Sequence, residues 1–455
     1  MLFRSGPRGP LGGNWTLALD SRRQNLIARD ENGKELWKVE TGNLQTAVSN
    51  LYGNYARVSG HLLIVVFGTH FVVLDCFQQE NGGPRILWQQ RLIDGVKGQS
   101  RSIRVPFQRV IGPGGVRIIT LQDQYGRPLG KVVPIDDSLI CYQVGTRLVA
   151  ANPLTGETLW ERRSVSRGSD IFGDREFVFV VAPKTKQAVT LRAADGEQVA
   201  TRPLPQEGTQ LFSQGRNVLV WTGRTLQKFD VWAGKNIWER RVPPGSQAIP
   251  MQRGENAIAV LNPHQGNFAI FDADDGRLLI DSAIEPDGQI DSFLVLRSRD
   301  HYVLLTHSPP KQANGVRVVA LDYYNPLVSG YVYGFDRKTG RKIWTTRVED
   351  QAFDVNQPAG LPVLVFTART YRPRLAAPAF SSSQNSLAVI DKRNGRNVFR
   401  DPKVQSLSHF EVTADFAEKK MSVNFYRTSI RLSMTNEPLA EPMQAKRPVD
   451  DAGDM

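Results

Sequence analysis

The stretch YVYGFDRKTGRKIW, Tyr331–Trp344, decides the fold. Apolar residues alternate through Tyr331–Phe335, which is the period of a β-strand. Asp336 closes the run, Gly340 follows four residues later, and Trp344 four after that. An acid at the entrance of a hairpin can hydrogen-bond the turn backbone, and a glycine supplies the positive φ that a side chain would obstruct. The same pattern recurs in NGKELW (Gly33, Trp37), TGETLW (Gly156, Trp160) and AGKNIW (Gly234, Trp238); GPRILW ends at Trp88 and has Pro84 at the glycine's place. Three further copies keep the turn and change the aromatic: DGEQVA (Gly196, Ala200), DGRLLI (Gly276, Ile280) and NGRNVF (Gly395, Phe399). Asp230, Asp272 and Asp391 repeat the role of Asp336, Asn152 is a near equivalent, and Arg192 departs from it.

Working outward, the marks at 33, 84, 156, 196, 234, 276, 340 and 395 stand 38 to 72 residues apart. Four strands with their turns need roughly 35–40 residues. Each interval is therefore one four-stranded unit, and the longer intervals carry insertions. Runs such as IAVLN and NFAIFDA read as further strands, and no long amphipathic helix is present. The expected fold is all-β, a β-propeller of about eight four-stranded blades, because radial repetition leaves only short, protected edges. A tryptophan at one fixed place per blade fits as a wedge against the neighbouring sheet.

An acid, a glycine and a tryptophan at this spacing resemble the pyrroloquinoline quinone (PQQ)-like repeat, found in quinoprotein alcohol dehydrogenases and in the outer-membrane assembly lipoprotein BamB. The resemblance spans about residues 13–434, with 1–12 read as a flexible N-terminal segment and 435–455 as a flexible C-terminal tail. It implies an extracytoplasmic protein of the periplasm or cell envelope. A lipid-attachment cysteine near the start is missing, so membrane association is expected only indirectly. The repeats begin almost at Met1, which leads us to expect either the C-terminal part of a longer product or a reading frame begun too late. Because the family contains enzymes and non-enzymes, the repeat marks architecture rather than activity.

The rest of the sequence argues against catalysis. A quinoprotein dehydrogenase, by the resemblance, would have calcium ligands, an aspartate base and commonly a vicinal disulfide. Only Cys76 and Cys141 occur, and they are not adjacent; they read as inert buried groups rather than a bridge. The carboxylates Asp136 and Asp137, Asp274 and Asp275, and Glu349 and Asp350 read as turn or strand-end residues. The six histidines have no metal spacing, and no nucleophile–base motif is visible. We expect no catalytic, cofactor-binding or metal-binding residues, and neither PQQ nor calcium. A PQQ-dependent dehydrogenase and the sensor domain of a larger membrane-associated protein remain alternatives. No stretch has the roughly 20 apolar residues of a spanning helix, and the start lacks the apolar core of a signal peptide.

The net charge of +12 favours acidic partners, without the basic helix or aromatic motif of a nucleic-acid binder. Three segments exceed a minimal blade: about 93–114, between blades, and about 308–329 and 368–385, between second and third strands. Links between blades and links between second and third strands lie at the same end of a meander, so all three are expected at the face opposite the glycine hairpins, where long loops carry function. Arg101, Arg104, Arg372 and Arg374 are the candidate partner-binding residues. A further arginine stripe, Arg91, Arg163, Arg241 and Arg347, falls on the strand face opposite the tryptophans, where it reads as solvated or salt-bridged. The function expected is a scaffold for protein–protein contacts.

Overall fold

The computed structural model describes residues 15–20, 25–30, 34–40, 55–67, 70–80, 83–92, 130–251, 255–298, 300–309, 317–319, 326–355, 357–358, 360–372, 382–404, 410–425, 429–435 and 443–444. Every regular element among them is a β-strand. Five sheets are four-stranded meanders in sequence order, within 55–91, 132–162, 170–203, 209–241 and 247–283. We name each blade by its hairpin residue. In the Gly156 blade the strands are Val132–Pro134, Ile140–Val144, Arg147–Ala151 and Thr158–Arg162, paired antiparallel. The fold is all-β and of the β-propeller class.

Burial across a blade follows the sequence. Second strands are covered on both faces: Ile140–Val144 and Ala257–Asn262 are buried throughout, as continuous apolar runs should be. In several outer strands a single residue is buried. In Thr158–Arg162 that residue is Trp160, and in Lys235–Arg241 it is Trp238.

The turns before those outer strands repeat closely. Gly156, Gly196, Gly234, Gly276, Gly340 and Gly395 have φ between 68° and 74°, the left-handed region that glycine enters without steric cost. The amide of each donates to the carbonyl four residues earlier, at 2.8–3.0 Å. The acid adds a side-chain cap: Asp336 Oδ1 accepts from the amides of Lys338 (3.0 Å) and Thr339 (2.8 Å). Where Arg192 replaces the acid, Asp195 takes over, accepting from the Glu197 amide at 2.9 Å and from the Arg192 guanidinium at 2.6 Å. Gly33 lies outside the described residues. Pro84 differs from the other marks. It is a buried residue within strand Gly83–Arg91, paired with Gln79, because Asp75–Gln79 bulges and lengthens the hairpin.

Each of four tryptophans is seated on the hairpin of the following blade. Nε1 of Trp88 donates to the Pro153 carbonyl (2.7 Å), that of Trp160 to Ala193 (2.7 Å), that of Trp238 to Asp274 (2.9 Å) and that of Trp344 to Lys392 (2.8 Å). The indoles lie so close over Gly156, Gly196, Gly276 and Gly395 that a β-carbon there would sit 2.6–2.8 Å from a ring carbon. The glycine thus serves twice, in its φ and in its bare face. Trp37 packs otherwise, edge-on to Trp15 with ring centroids 5.7 Å apart.

The described residues gather into two compact units, one holding most of the chain up to Leu279 and the other most of it from Ile280 on. In the second unit the Gly340 and Gly395 blades share one nine-stranded sheet. Strand Lys342–Phe353 joins them. It pairs with Leu327–Asp336 along most of its length, from Lys342 to Ala352, and its last two residues also pair with Val363–Arg372 through Ala352↔Thr367 and Phe353↔Phe366. Asp350, with φ at 51°, lies close to the crossover. Met443–Gln444 adds in parallel to the outer strand at Phe399 and Arg400. Strands Phe410–Asp415, Lys420–Phe425 and Ser429–Ser433 form a separate three-stranded sheet.

Candidate functional site

The two inserted links of the second unit are joined to each other. Val363–Ala368 is buried within the Gly395 blade, yet pairing with the next strand continues beyond it, from Arg369↔Asn385 to Arg372↔Ser382. Against this extension lies Arg317–Val319, which belongs to the second-to-third-strand link of the preceding blade. It pairs antiparallel through Arg317↔Tyr371, Val318↔Thr370 and Val319↔Arg369. Segments 317–319, 369–371 and 383–385 therefore run side by side as a three-stranded ribbon built by two blades. The period of two puts positions 317, 319, 369, 371, 383 and 385 on one face. With the flanking pair Arg372↔Ser382 included, the ribbon contains Arg317, Arg369 and Arg372 and no Asp or Glu.

The base of the ribbon is fixed by side chains. Gln351 Nε2 and Ser386 Oγ lie 3.0 Å apart, and Ser329 Oγ donates to Asp350 Oδ1 at 3.2 Å. Below them Thr306 Oγ1 donates to the Tyr331 carbonyl (2.8 Å) and accepts from its amide (3.0 Å), bridging the register shift around Gly330. Such polar bridging holds two strands together where a bulge interrupts the ladder.

Of the four arginines expected to bind a partner, Arg101, Arg104 and Arg374 lie outside the described residues. Arg372 ends strand Val363–Arg372, opposite Ser382, at the tip of the paired segment; its side chain is not described. The 93–114 segment is also outside. Missed in the sequence were the strand at 317–319 and its partner. The signal was Arg317-Val-Val319, a short β-branched run, but nothing local names the strand it pairs with.

The carboxylates considered as metal ligands are engaged locally. Asp136 Oδ1 accepts from the Ser138 amide (2.8 Å), Asp275 Oδ1 from the Arg277 amide (2.8 Å), and Glu349 pairs with Arg347 (3.0 Å). Asp274 binds Asn256 and Lys228, and the Asn256 hydrogen bond is the leading reason its carboxyl is held below the usual range. Among the described residues, no group of three or more His, Cys, Asp or Glu side chains is placed to hold a metal. Both cysteines are free. Burial pushes the Cys76 thiol up to about 12 and that of Cys141 upward as well, so neither is an activated nucleophile. Arg163 and Arg347 of the outer stripe pair with Glu161 and Glu349 of their own strands.

Repeated hairpins, seated indoles and four-stranded meanders define a β-propeller built of PQQ-like repeats. Residues 144–297 match the family model described as outer membrane protein assembly factor BamB. No curated protein matches the chain. Solved structures similar to it include BamB from Moraxella catarrhalis (14% identity, 83% of this chain and 94% of that one, TM-score 0.35). Others are the dihydro-heme d1 dehydrogenase NirN in complex with DHE (11%, 88% and 78%, 0.43) and a eukaryotic initiation factor (14%, 86% and 95%, 0.41). No helix among the described residues is long and apolar enough to cross a membrane.

Proposed function

We propose that this protein is a non-catalytic scaffold of the cell envelope that holds an acidic protein partner on the ribbon formed by 317–319, 369–372 and 382–385. The observation that carries the reading is the pairing of two insertions from different blades. A strand shared between two insertions holds both rigid, and a rigid docking surface lowers the ordering cost of binding. The BamB-like repeats over 144–297 support a protein partner and an extracytoplasmic location. Arginines without acids in the ribbon supply the charge preference.

The test is site-specific photo-crosslinking in expressing cells, from position 370 on the ribbon and from position 339 on a glycine hairpin. A discrete adduct from position 370 alone is expected, identified by mass spectrometry as one acidic protein. An adduct from 339 alone would overturn the assignment.

A further inference from the structure

One blade junction lacks its wedge. Ala200 stands where Trp160 and Trp238 stand in their own blades: it faces Thr190 across the ladder, as Trp160 faces Ala150 and Trp238 faces Lys228, each just before the same register shift. Its counterpart hairpin is that of Gly234. Over Gly156, Gly196, Gly276 and Gly395 an indole fills the space; over Gly340 the Ile280 side chain comes within 3.6 Å of a β-carbon's place. Over Gly234 nothing lies within 4 Å.

The polar groups around this slot are also left over. In the Gly234 blade, Arg240, two residues after the wedge, donates from Nε to the Gly276 carbonyl at 2.8 Å. Arg202 is its equivalent beside the slot, and its Nε is buried with no hydrogen-bond partner; its guanidinium instead lies 4.3 Å over the ring of Trp232. Thr190, fully buried and opposite Ala200, has no partner for Oγ1. Buried polar atoms are rarely left unpaired, and here two of them stand next to Ala200 in the sheet, one across the ladder and one two residues along the strand.

We infer that the Ala200–Gly234 slot is a docking site for a tryptophan side chain presented by another protein. The occupant's chemistry is set by the four filled seats, each of which takes an indole flat on the glycine, with Nε1–H donated to a carbonyl two or three residues before it. Val231 supplies the carbonyl three residues before Gly234. The chain itself has no tryptophan to spare. Its eight tryptophans are all described: four seated, Trp15 against Trp37, Trp221 in the core, and Trp232 stacked on Phe177 at 4.0 Å. None of them is exposed, so a second folded copy offers none either. The slot is separate from the ribbon, and the inference does not rest on that reading.

The experiment uses the full chain with labelled methyl groups and N-acetyl-tryptophanamide as probe. Shift changes are expected at the Thr190 and Val231 methyls, with N-acetyl-leucinamide at the same concentration producing none. Ala200→Trp should abolish the changes and raise the melting temperature by a few degrees, since the chain then fills its own seat. Silence at Thr190 and Val231, an equal response to the leucine compound, or changes that persist in Ala200→Trp would overturn the inference. If Ala200→Trp does not fold, the titration of the unmodified protein decides alone.

Discussion

Replacing Trp160 or Trp238 by alanine empties a seat whose floor is a bare glycine and removes the hydrogen bond from Nε1 to the hairpin carbonyl. The cost expected is about 3–5 kcal/mol, as for other buried large aromatics, read as a lowered urea midpoint. Wild-type stability in both variants would mean that these indoles are not structural. The doublet around each wedge shows what could and could not be read from residue types. Leu159 and Trp160 are both apolar, yet Leu159 is 51% exposed and Trp160 is 7%. Hydrophobicity cannot separate them. Strand alternation can, once the turn fixes which parity faces the next blade. Ala200 shows the limit: the sequence marked it as a weakened copy, but only the geometry shows that its seat stays empty.

At the scale of elements, the junction with Ile280 in place of the indole is held by charge. Glu285 pairs with Lys342 at 2.6 Å, and Lys342 Nζ lies 5.8 Å over the ring of buried Tyr333. The Lys342 hydrogen bond is the main reason the Glu285 carboxyl sits below its ordinary range. A lowered carboxylate pKa adds stability above the unfolded value of about 4.3, and the gain is lost as pH falls through the folded value. Glu285→Gln should therefore melt below wild type at pH 7, and the two should converge as pH falls below the folded-state value of Glu285; a gap that ignores pH would remove the ion pair from the account. The pair is half in solvent, so the gap should be small. On the ribbon, reversing Arg317, Arg369 and Arg372 to glutamate should leave the unfolding free energy within about 1 kcal/mol of wild type. Association with the partner should slow and its salt dependence flatten. An unaltered association rate would remove these arginines from the interface. The ribbon itself was hidden in the sequence because its register joins segments about fifty residues apart, and no local pattern encodes which strand meets which.

For the molecule as a whole, the repeat was legible and the activity was not. Hairpin acid, glycine and wedge recur at fixed local offsets, so the four-stranded unit could be read directly. The merging of the Gly340 and Gly395 blades through one continuous strand, Lys342–Phe353, could not, since it turns on a crossover beside Asp350. The scaffold reading makes a prediction at this scale. PQQ with calcium should leave the melting curve where it is, whereas a cofactor at 100 times its Kd would stabilise by about 2.7 kcal/mol. A clear upward shift, or alcohol-dependent dye reduction, would make the protein an enzyme.

The four seated indoles lean one way, each onto the next blade along the chain, and this has a consequence in time. During synthesis Trp160 is made well before the Gly196 hairpin that receives it, and Trp88 longer still before Gly156. At ribosomal speed each such wait lasts on the order of seconds. The growing end of the nascent protein therefore shows an uncovered tryptophan each time one of these four blades has been made and its successor has not. A chaperone that grips exposed aromatics would find one at each of these stages, but not at Ala200 or Ile280, where the wedge place holds no aromatic ring.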